Sequence, residues 1–206
     1  MEYVAALAGL AVVHLLAVAS PGPSTVLVIQ TAAVSGRRAG LLAAFAMMLG
    51  ALAWAAAALY GLQVLFARFD WLYAAFRIGG AAYLLYLAFM LLRHAGAPLP
   101  EADPSAVHVG AWHGFLKALL LQLSNPKVMV FMGSIFVSLL PAQPPACMDA
   151  TVLVIVAANE FTWFALLALL FSGETARAFY RRTKPWLDRF MGGALALLGL
   201  KLALDR

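Results

Sequence analysis

Of 206 residues, 65% are hydrophobic and 11% charged, and the mean hydropathy is +0.91. Soluble domains run near half apolar and a quarter charged, so a chain of this size carries more apolar surface than one aqueous core can hide and requires lipid as its solvent. Its 14 Lys plus Arg against 9 Asp plus Glu leave a formal charge of +5, gathered in short loops that report membrane orientation and no nucleic-acid partner, and the single Cys147 excludes an internal disulfide framework, a four-thiolate zinc site and a self-contained iron–sulfur cluster.

A crossing of the hydrocarbon needs about 20 apolar residues. Six such stretches follow one another: Tyr3 to Ser35, Ala39 to Phe66, Trp71 to Leu92, Trp112 to Leu140, Ala150 to Ser172 and Trp186 to Leu204. The first and fourth exceed an untilted crossing, because about 30 residues at about 1.5 Å each reach about 45 Å across a core of about 30 Å. They are expected to tilt or break. Ala17-Val18-Ala19 has the form of a leader-cleavage site, but the preceding segment carries Glu2 and no base where a leader needs a positive end, so residues 1–35 are kept in the fold. Trp71, Trp112 and Trp186 stand at span ends and read as interfacial anchors.

Cytoplasmic first, third and fifth loops would hold Arg37, Arg38, Arg93, Arg177, Arg181, Arg182, Lys184 and Arg189, leaving Arg68, Lys201 and Arg206 outside, so both termini are expected on the periplasmic face. The basic loop from Arg177 to Lys184 also suits contact with anionic lipid. The only long polar connection, Arg93 to Gly110, divides the chain into a first three-helix unit at 1–94, a cytoplasmic loop at 95–110 and a second unit at 111–206.

The two units share features in the same order. Gly79-Gly80-Ala81-Ala82-Tyr83-Leu84-Leu85-Tyr86-Leu87 in the third span is echoed by Gly192-Gly193-Ala194-Leu195-Ala196-Leu197-Leu198-Gly199-Leu200 in the sixth. Ser20-Pro21-Gly22-Pro23 interrupts the first span near its middle, and Ser124-Asn125-Pro126 interrupts the fourth. A repeat of three spans places its second copy upside down, so the expected fold is an all-α membrane protein of six transmembrane helices in two inverted repeats, with the first and fourth helices broken. The plainer alternative is a six-helix bundle whose glycines only allow close packing and whose prolines only kink.

Each proline removes the hydrogen bond to the carbonyl four residues earlier, so Pro21, Pro23 and Pro126 are expected to free the carbonyls of Ala17, Ala19 and Gln122 as cation ligands. Asn125 is a good helix cap and Pro126 a favoured first residue, which would leave the amides of Lys127 and Val128, and those of Ser24 and Thr25 after Pro23, open to an anion. Carbonyls for an ammonium and amides for a carboxylate together suit a zwitterion. Ser20, Pro21, Gly22, Pro23, Ser24, Asn125, Pro126, Lys127 and Glu160 are therefore the expected substrate-binding residues. Repair of both kinks by neighbouring hydroxyls such as Ser20 and Ser124 is the competing account.

Charges at membrane depth need a partner or a water path. Glu160, beside Asn159 in the fifth span, and Lys127, just past the second break, either form a structural ion pair or serve transport, with Glu160 holding an ammonium or a coupling proton and Lys127 a carboxylate. His14 is either a second proton carrier or a hydrogen-bonded packing residue. Gln30, Gln122, Ser124, Asn159 and Trp163 are candidate cavity-lining groups.

Ser20 to Pro23, Arg37-Arg38-Ala39-Gly40-Leu41, Gly79 to Leu84 and Asn125-Pro126-Lys127, taken in order over the whole chain, resemble the LysE/RhtB family of amino-acid exporters. The third-span match departs at Ala88, where members keep a smaller residue. The resemblance implies a bacterial inner-membrane efflux carrier driven by the proton gradient, with Pro21, Gly22, Pro23, Asn125, Pro126 and Lys127 as signature residues. Glu160 rests on the burial argument alone.

The resulting expectation is a secondary exporter of a small neutral amino acid in exchange for protons. No Gly-x-x-x-x-Gly-Lys-Ser/Thr phosphate loop is present, and no residue pattern asks for a cofactor. A metal or toxic-cation exporter would need clustered Cys, His or carboxylates at depth, and only His14, Glu160 and a loop thiol are available. A membrane enzyme would need Gly-x-Ser-x-Gly, His-Glu-x-x-His or paired span aspartates, and none occurs. A passive accessory subunit is the remaining alternative.

Overall fold

Proline and glycine, the residues least compatible with an unbroken helix, decide where the helices of this chain start, stop and turn. The computed structural model describes residues 2–20, 22–62, 69–95, 111–139, 146–172 and 174–204. Helix α1 is Glu2–Ala19. After a break, α2 is Pro23–Ala56, which passes into a π-helical turn at Ala57–Leu62. Helix α3 is Asp70–Arg93, α4 is Ala111–Leu123, α5 is Pro126–Leu139, α6 is Ala146–Phe171 and α7 is Glu174–Leu204. No strand occurs among the described residues. Pro21, the stretch 96–110 and Arg68 and Arg206 lie outside them.

Both expected interruptions are present. The chain leaves the helix between Ala19 and Pro23, with Gly22 extended at φ −172° as the cap of α2, and again between α4 and α5, whose axes differ by 52°. A third departure lies inside α2, where Gly36 adopts φ 83° and ψ 178°. Only glycine takes that conformation without strain. A Cβ on Gly40 would lie 2.8 Å from the Cβ of Ala32, although eight residues of straight helix would separate them by about 12 Å. The chain therefore doubles back at Gly36, and arms 23–35 and 37–56 pack against each other.

By length and composition Pro23–Gly61, which doubles back at Gly36, and Cys147–Phe171 are candidate membrane spans; the bent pair Trp112–Leu123 and Lys127–Phe136 is a third, and Tyr3–Ala19 and Ile78–Arg93 are shorter apolar helices. Large apolar side chains such as Val12, Leu15, Phe45, Leu120, Val154, Leu166 and Leu197 are exposed, as expected where lipid is the solvent and a liability in water. The stretch Arg177–Lys184, expected as a basic loop, is instead helical and forms the start of α7. Lys184 is buried there and pairs with Asp188 one turn on at 2.7 Å, with Pro185 between them. A fixed ion pair of this kind is no free topology signal.

Two apolar clusters fill the interior. One joins Leu10, Leu59, Leu84, Ile135, Val156 and Leu195. The other joins Val28, Met47, Ala118, Phe164 and Phe171. Small residues set the helix approaches: a Cβ on Gly192 would meet the Leu92 side chain at 2.8 Å and the Ala88 carbonyl at 3.2 Å, and one on Gly199 would meet Leu85 Cγ at 3.0 Å. The repeated glycines are not used alike. Gly80 abuts Ser134 on α5, whereas Gly79 and Gly193 have open space where a side chain would start.

Gly40 is closely hemmed in, since an added Cβ would also lie 2.9 Å from Ala168 Cβ and 3.1 Å from Ala32 Cα. Gly40→Ala is expected to cost about 1–3 kcal/mol through overpacking. Gly9→Ala, with nothing within 4 Å, is the matched control and should be neutral or slightly stabilising. Thermal unfolding of the two variants in detergent, side by side, checks the difference.

Candidate functional site

The two interruptions meet. A cavity lies where the apolar clusters adjoin and is lined by residues from α1, the first break, α2, α4, the second break, α5 and α6. Its polar lining comprises His14, Ser20, Ser24, Thr25, Gln122, Asn125, Lys127 and Glu160, and its apolar wall includes Phe131, Met132 and Phe164.

At the first break the Ala17 carbonyl, expected to be free, is taken up locally. Ala17 O accepts the Ser20 hydroxyl at 2.7 Å and the Ser20 amide at 3.3 Å. In a continuous helix Ser20 O would accept the Ser24 amide; here it accepts Lys127 Nζ at 2.9 Å, and Nζ also contacts Ser20 Oγ. The cation ligand is thus Ser20 O, and the cation is supplied by the chain. A Cβ on Gly22 would rest against the same lysine, 3.6 Å from Nζ.

The second break is closed by its cap. Asn125 Oδ1 accepts the Lys127 amide at 3.0 Å, Asn125 O accepts the Val128 and Met129 amides, and Gln122 O accepts the Asn125 amide at 3.3 Å. The expectation of open amides at Lys127 and Val128 is therefore corrected. The capping side chain of Asn125 satisfies one and a tight first turn the other. Pro126 takes the favoured first position of α5.

A chain of side chains links the breaks. Asn125 Nδ2 donates to Ser24 Oγ at 3.1 Å, Ser24 Oγ donates to Gln122 Oε1 at 2.7 Å, and Gln122 Nε2 donates to Glu160 Oε2 at 3.3 Å. Glu160 Oε1 faces His14 Nε2 at 3.7 Å, both residues being buried. Asn159 donates to Ala11 O at 2.9 Å and approaches His14 Nδ1 at 3.3 Å. An amide NH2 only donates, so Nδ1 is the acceptor and the neutral ring carries its hydrogen on Nε2, toward Glu160. That nitrogen has no hydrogen-bond partner. Lys127 and Glu160 line one cavity but are not paired directly: the lysine is on Ser20 and the carboxylate on Gln122. No group of three or more His, Cys, Asp and Glu among the described residues is placed to hold a metal.

Residues 15–206 match the family described as LysE type translocator. The chain belongs to this family. It is 31% identical over 199 residues to a threonine efflux protein of Salmonella typhi, covering 95% of this chain and 96% of that one. It is 30% identical over 202 residues to the threonine efflux protein of Escherichia coli K12, with the same coverage, and 26% identical over 196 residues to an uncharacterized membrane protein of Haemophilus influenzae, covering 94% and 93%. No solved structure matches the chain. As a LysE-type translocator the protein is a membrane transporter and not an enzyme.

Of the residues expected at the translocator's site, the fold brings Ser20, Gly22, Ser24, Asn125, Lys127, Glu160, His14 and Gln122 to one cavity. Pro21 lies outside the described residues. Pro23 is exposed, Ser124 is exposed and Gln30 is half-buried, all away from the cavity wall. Asn159 stands behind His14, outside the wall. Trp163 is also outside it, with a buried Nε1 that has no partner. Thr25, expected there for its amide, lines the cavity as well, and so do Phe131 and Phe164, to which the sequence assigns no role; the helical spacing of Phe164 one turn after Glu160 is the available signal.

Asn125→Ala is expected to lower stability by about 1 kcal/mol through loss of the cap, with further loss from the hydrogen bond that Asn125 Nδ2 gives to Ser24 Oγ. Asn125→Ser should recover the capping part. Denaturation midpoints in micelles for both variants check the order.

Proposed function

We propose that this translocator exports a small neutral amino acid, threonine or a close relative, across the bacterial inner membrane in exchange for protons. The observation that carries the reading is the cavity at two facing helix breaks, where an ammonium already rests on a helix-terminal carbonyl across from a carboxylate. Ser24, Thr25, Gln122 and Asn125 offer hydroxyls and amides to a short polar side chain. One lysine and one glutamate leave no spare charge for an acidic or basic substrate. The threonine efflux proteins, similar over nearly the whole chain, support the cargo class.

The architecture we propose is six spans in two inverted three-helix units, 1–94 and 111–206, joined by a cytoplasmic loop at 95–110. Its supports are the two broken helices, the reversal at Gly36, and the packing of α7 on α3 through Gly192 and Gly199, which pairs the third span with the sixth as a pseudo-twofold would. Arg37 Nε donates to Ser172 Oγ at 2.9 Å, tying the first turn to the end of the fifth span on one face. With Arg37 and Arg38 there, that face is cytoplasmic and both termini are periplasmic.

Protons would travel by Glu160 and His14. Asn159 holds the imidazole with Nε2–H toward the carboxylate, and a shift of under about 1 Å would bring the 3.7 Å approach into hydrogen-bond range. Rocking of one unit against the other around the breaks would then open the cavity to each side in turn.

In proteoliposomes, an opposing proton gradient should stimulate labelled-threonine transport, and Glu160→Gln should reduce the stimulated component by about tenfold or more, equal to about 1.4 kcal/mol of coupling. Threonine–threonine exchange should survive better than gradient-driven movement. Full stimulation in the Glu160→Gln variant would remove this residue from the coupling path, and absence of transport across a panel of neutral amino acids would remove the export reading.

A further inference from the structure

Lys127 lines the cavity, and its side chain reaches from the first turn of α5 to Ser20, the first residue of the opposite break. Its ammonium does not face open space or Glu160, as a group waiting for a substrate carboxylate would. It is satisfied by the Ser20 carbonyl and hydroxyl oxygens.

Those oxygens are built to receive a cation. Ser20 follows directly on the C-terminus of α1, where carbonyl groups carry partial negative charge. The Ser20 hydroxyl gives its proton to Ala17 O, so its lone pairs are left for an ammonium. The break itself, enforced by Pro23 at the start of α2, turns the Ser20 carbonyl out of the helix ladder. The result is a pair of oxygen acceptors, one backbone and one side chain, at the edge of a cavity that also holds Glu160.

We propose that Ser20 O and Oγ form the ammonium subsite for the cargo, and that Lys127 is its tethered occupant when the cavity is closed, displaced by the substrate's own primary ammonium. The assignment rests on the export reading above. One ammonium replaces another on the same two oxygens, and the departing lysine stem vacates the space that the substrate's carbon skeleton needs. The displaced Lys127 has Glu160 as the carboxylate on its side of the cavity, so neither charge is left alone in the membrane interior.

Two roles for Lys127 give binding changes of opposite sign. If it only holds a carboxylate, removing its charge weakens binding. As an occupant of the ammonium subsite, it keeps that subsite filled most of the time, and a site free about a tenth of the time binds about tenfold more weakly than an open one.

The experiment is equilibrium binding of labelled L-threonine to purified protein, wild type against Lys127→Met, with competition by 1-amino-2-propanol, which keeps the ammonium and hydroxyl but lacks the carboxylate. The expected result is a Kd for threonine lower by about tenfold in Lys127→Met, with 1-amino-2-propanol competing in the variant and not in the wild type. Lys127→Gln, read alongside by size exclusion and binding, should shift in the same direction and covers the case in which the methionine variant does not fold. Unchanged or weaker threonine binding in a folded variant, with wild-type binding intact, would overturn the subsite assignment alone. Absence of binding of threonine, serine and alanine by wild type and variants alike would overturn the export reading and this assignment with it.

Discussion

In hydrocarbon a peptide carbonyl without a partner costs several kcal/mol, and every proline that interrupts a span creates such a carbonyl. The chain meets that constraint at two places by bringing them together. The carbonyl turned out at Ser20 takes the ammonium of Lys127, and the amides opened at the second break take the side chain and carbonyl of Asn125. The same contact that repairs the first break therefore docks α5 against it at the cavity wall. Fold and site share one solution.

The polar groups behind this contact form a single chain rather than separate pairs. Asn125, Ser24, Gln122 and Glu160 are linked in sequence, and His14 and Asn159 extend the line through α1 and α6. Removing Gln122 would orphan a donor on Ser24 and an acceptor on Glu160 at once, the costly half of hydrogen-bond loss. Around the network the packing is set by small residues: Gly50, whose Cβ would lie 2.8 Å from Gln122 Cβ, lets α2 press directly on the back of this residue. The Trp54 indole nearby donates to Leu123 O at 3.1 Å, which satisfies another carbonyl left by the second break.

Apolar run length and proline position made the helical class, the interruptions near Ser20 and Asn125, and most of the cavity residues legible in the sequence, because each is a local consequence of residue type. Partner choice was not legible. Lys127 was expected on a carboxylate, yet it lies on a backbone oxygen about a hundred positions earlier, a contact that depends on how two breaks align in space. The amides of the second break were expected open because the asparagine that creates the cap was not counted as also filling it. Phe131 and Phe164 are not legible as cavity residues, since a ring in an apolar helix carries no mark of which way it faces. Gln30 and Ser124 were drawn in by polarity alone, and polarity at a helix end is satisfied by water or headgroups as readily as by a cavity. The helical start of α7 was missed because bases in a row read as loop, although Arg, Lys and Ala are all strong helix formers.

A carrier must move between forms without stranding a charge in the membrane, and the arrangement here meets that need by giving each polar group more than one partner. Lys127 has Ser20 as its partner and Glu160 on the same cavity wall. Glu160 has Gln122 in hydrogen-bond range and His14 just beyond it. Gln122 touches Ser24 and Glu160 through opposite ends of one amide. Exchange among partners of similar strength changes the energy little, whereas breaking any one of them without replacement would raise it by several kcal/mol. A rigid salt bridge between Lys127 and Glu160 would have been a simpler way to neutralise both, but it would have left the Ser20 carbonyl without a partner and the first break unrepaired. The looser network repairs both breaks without locking the two charges to each other.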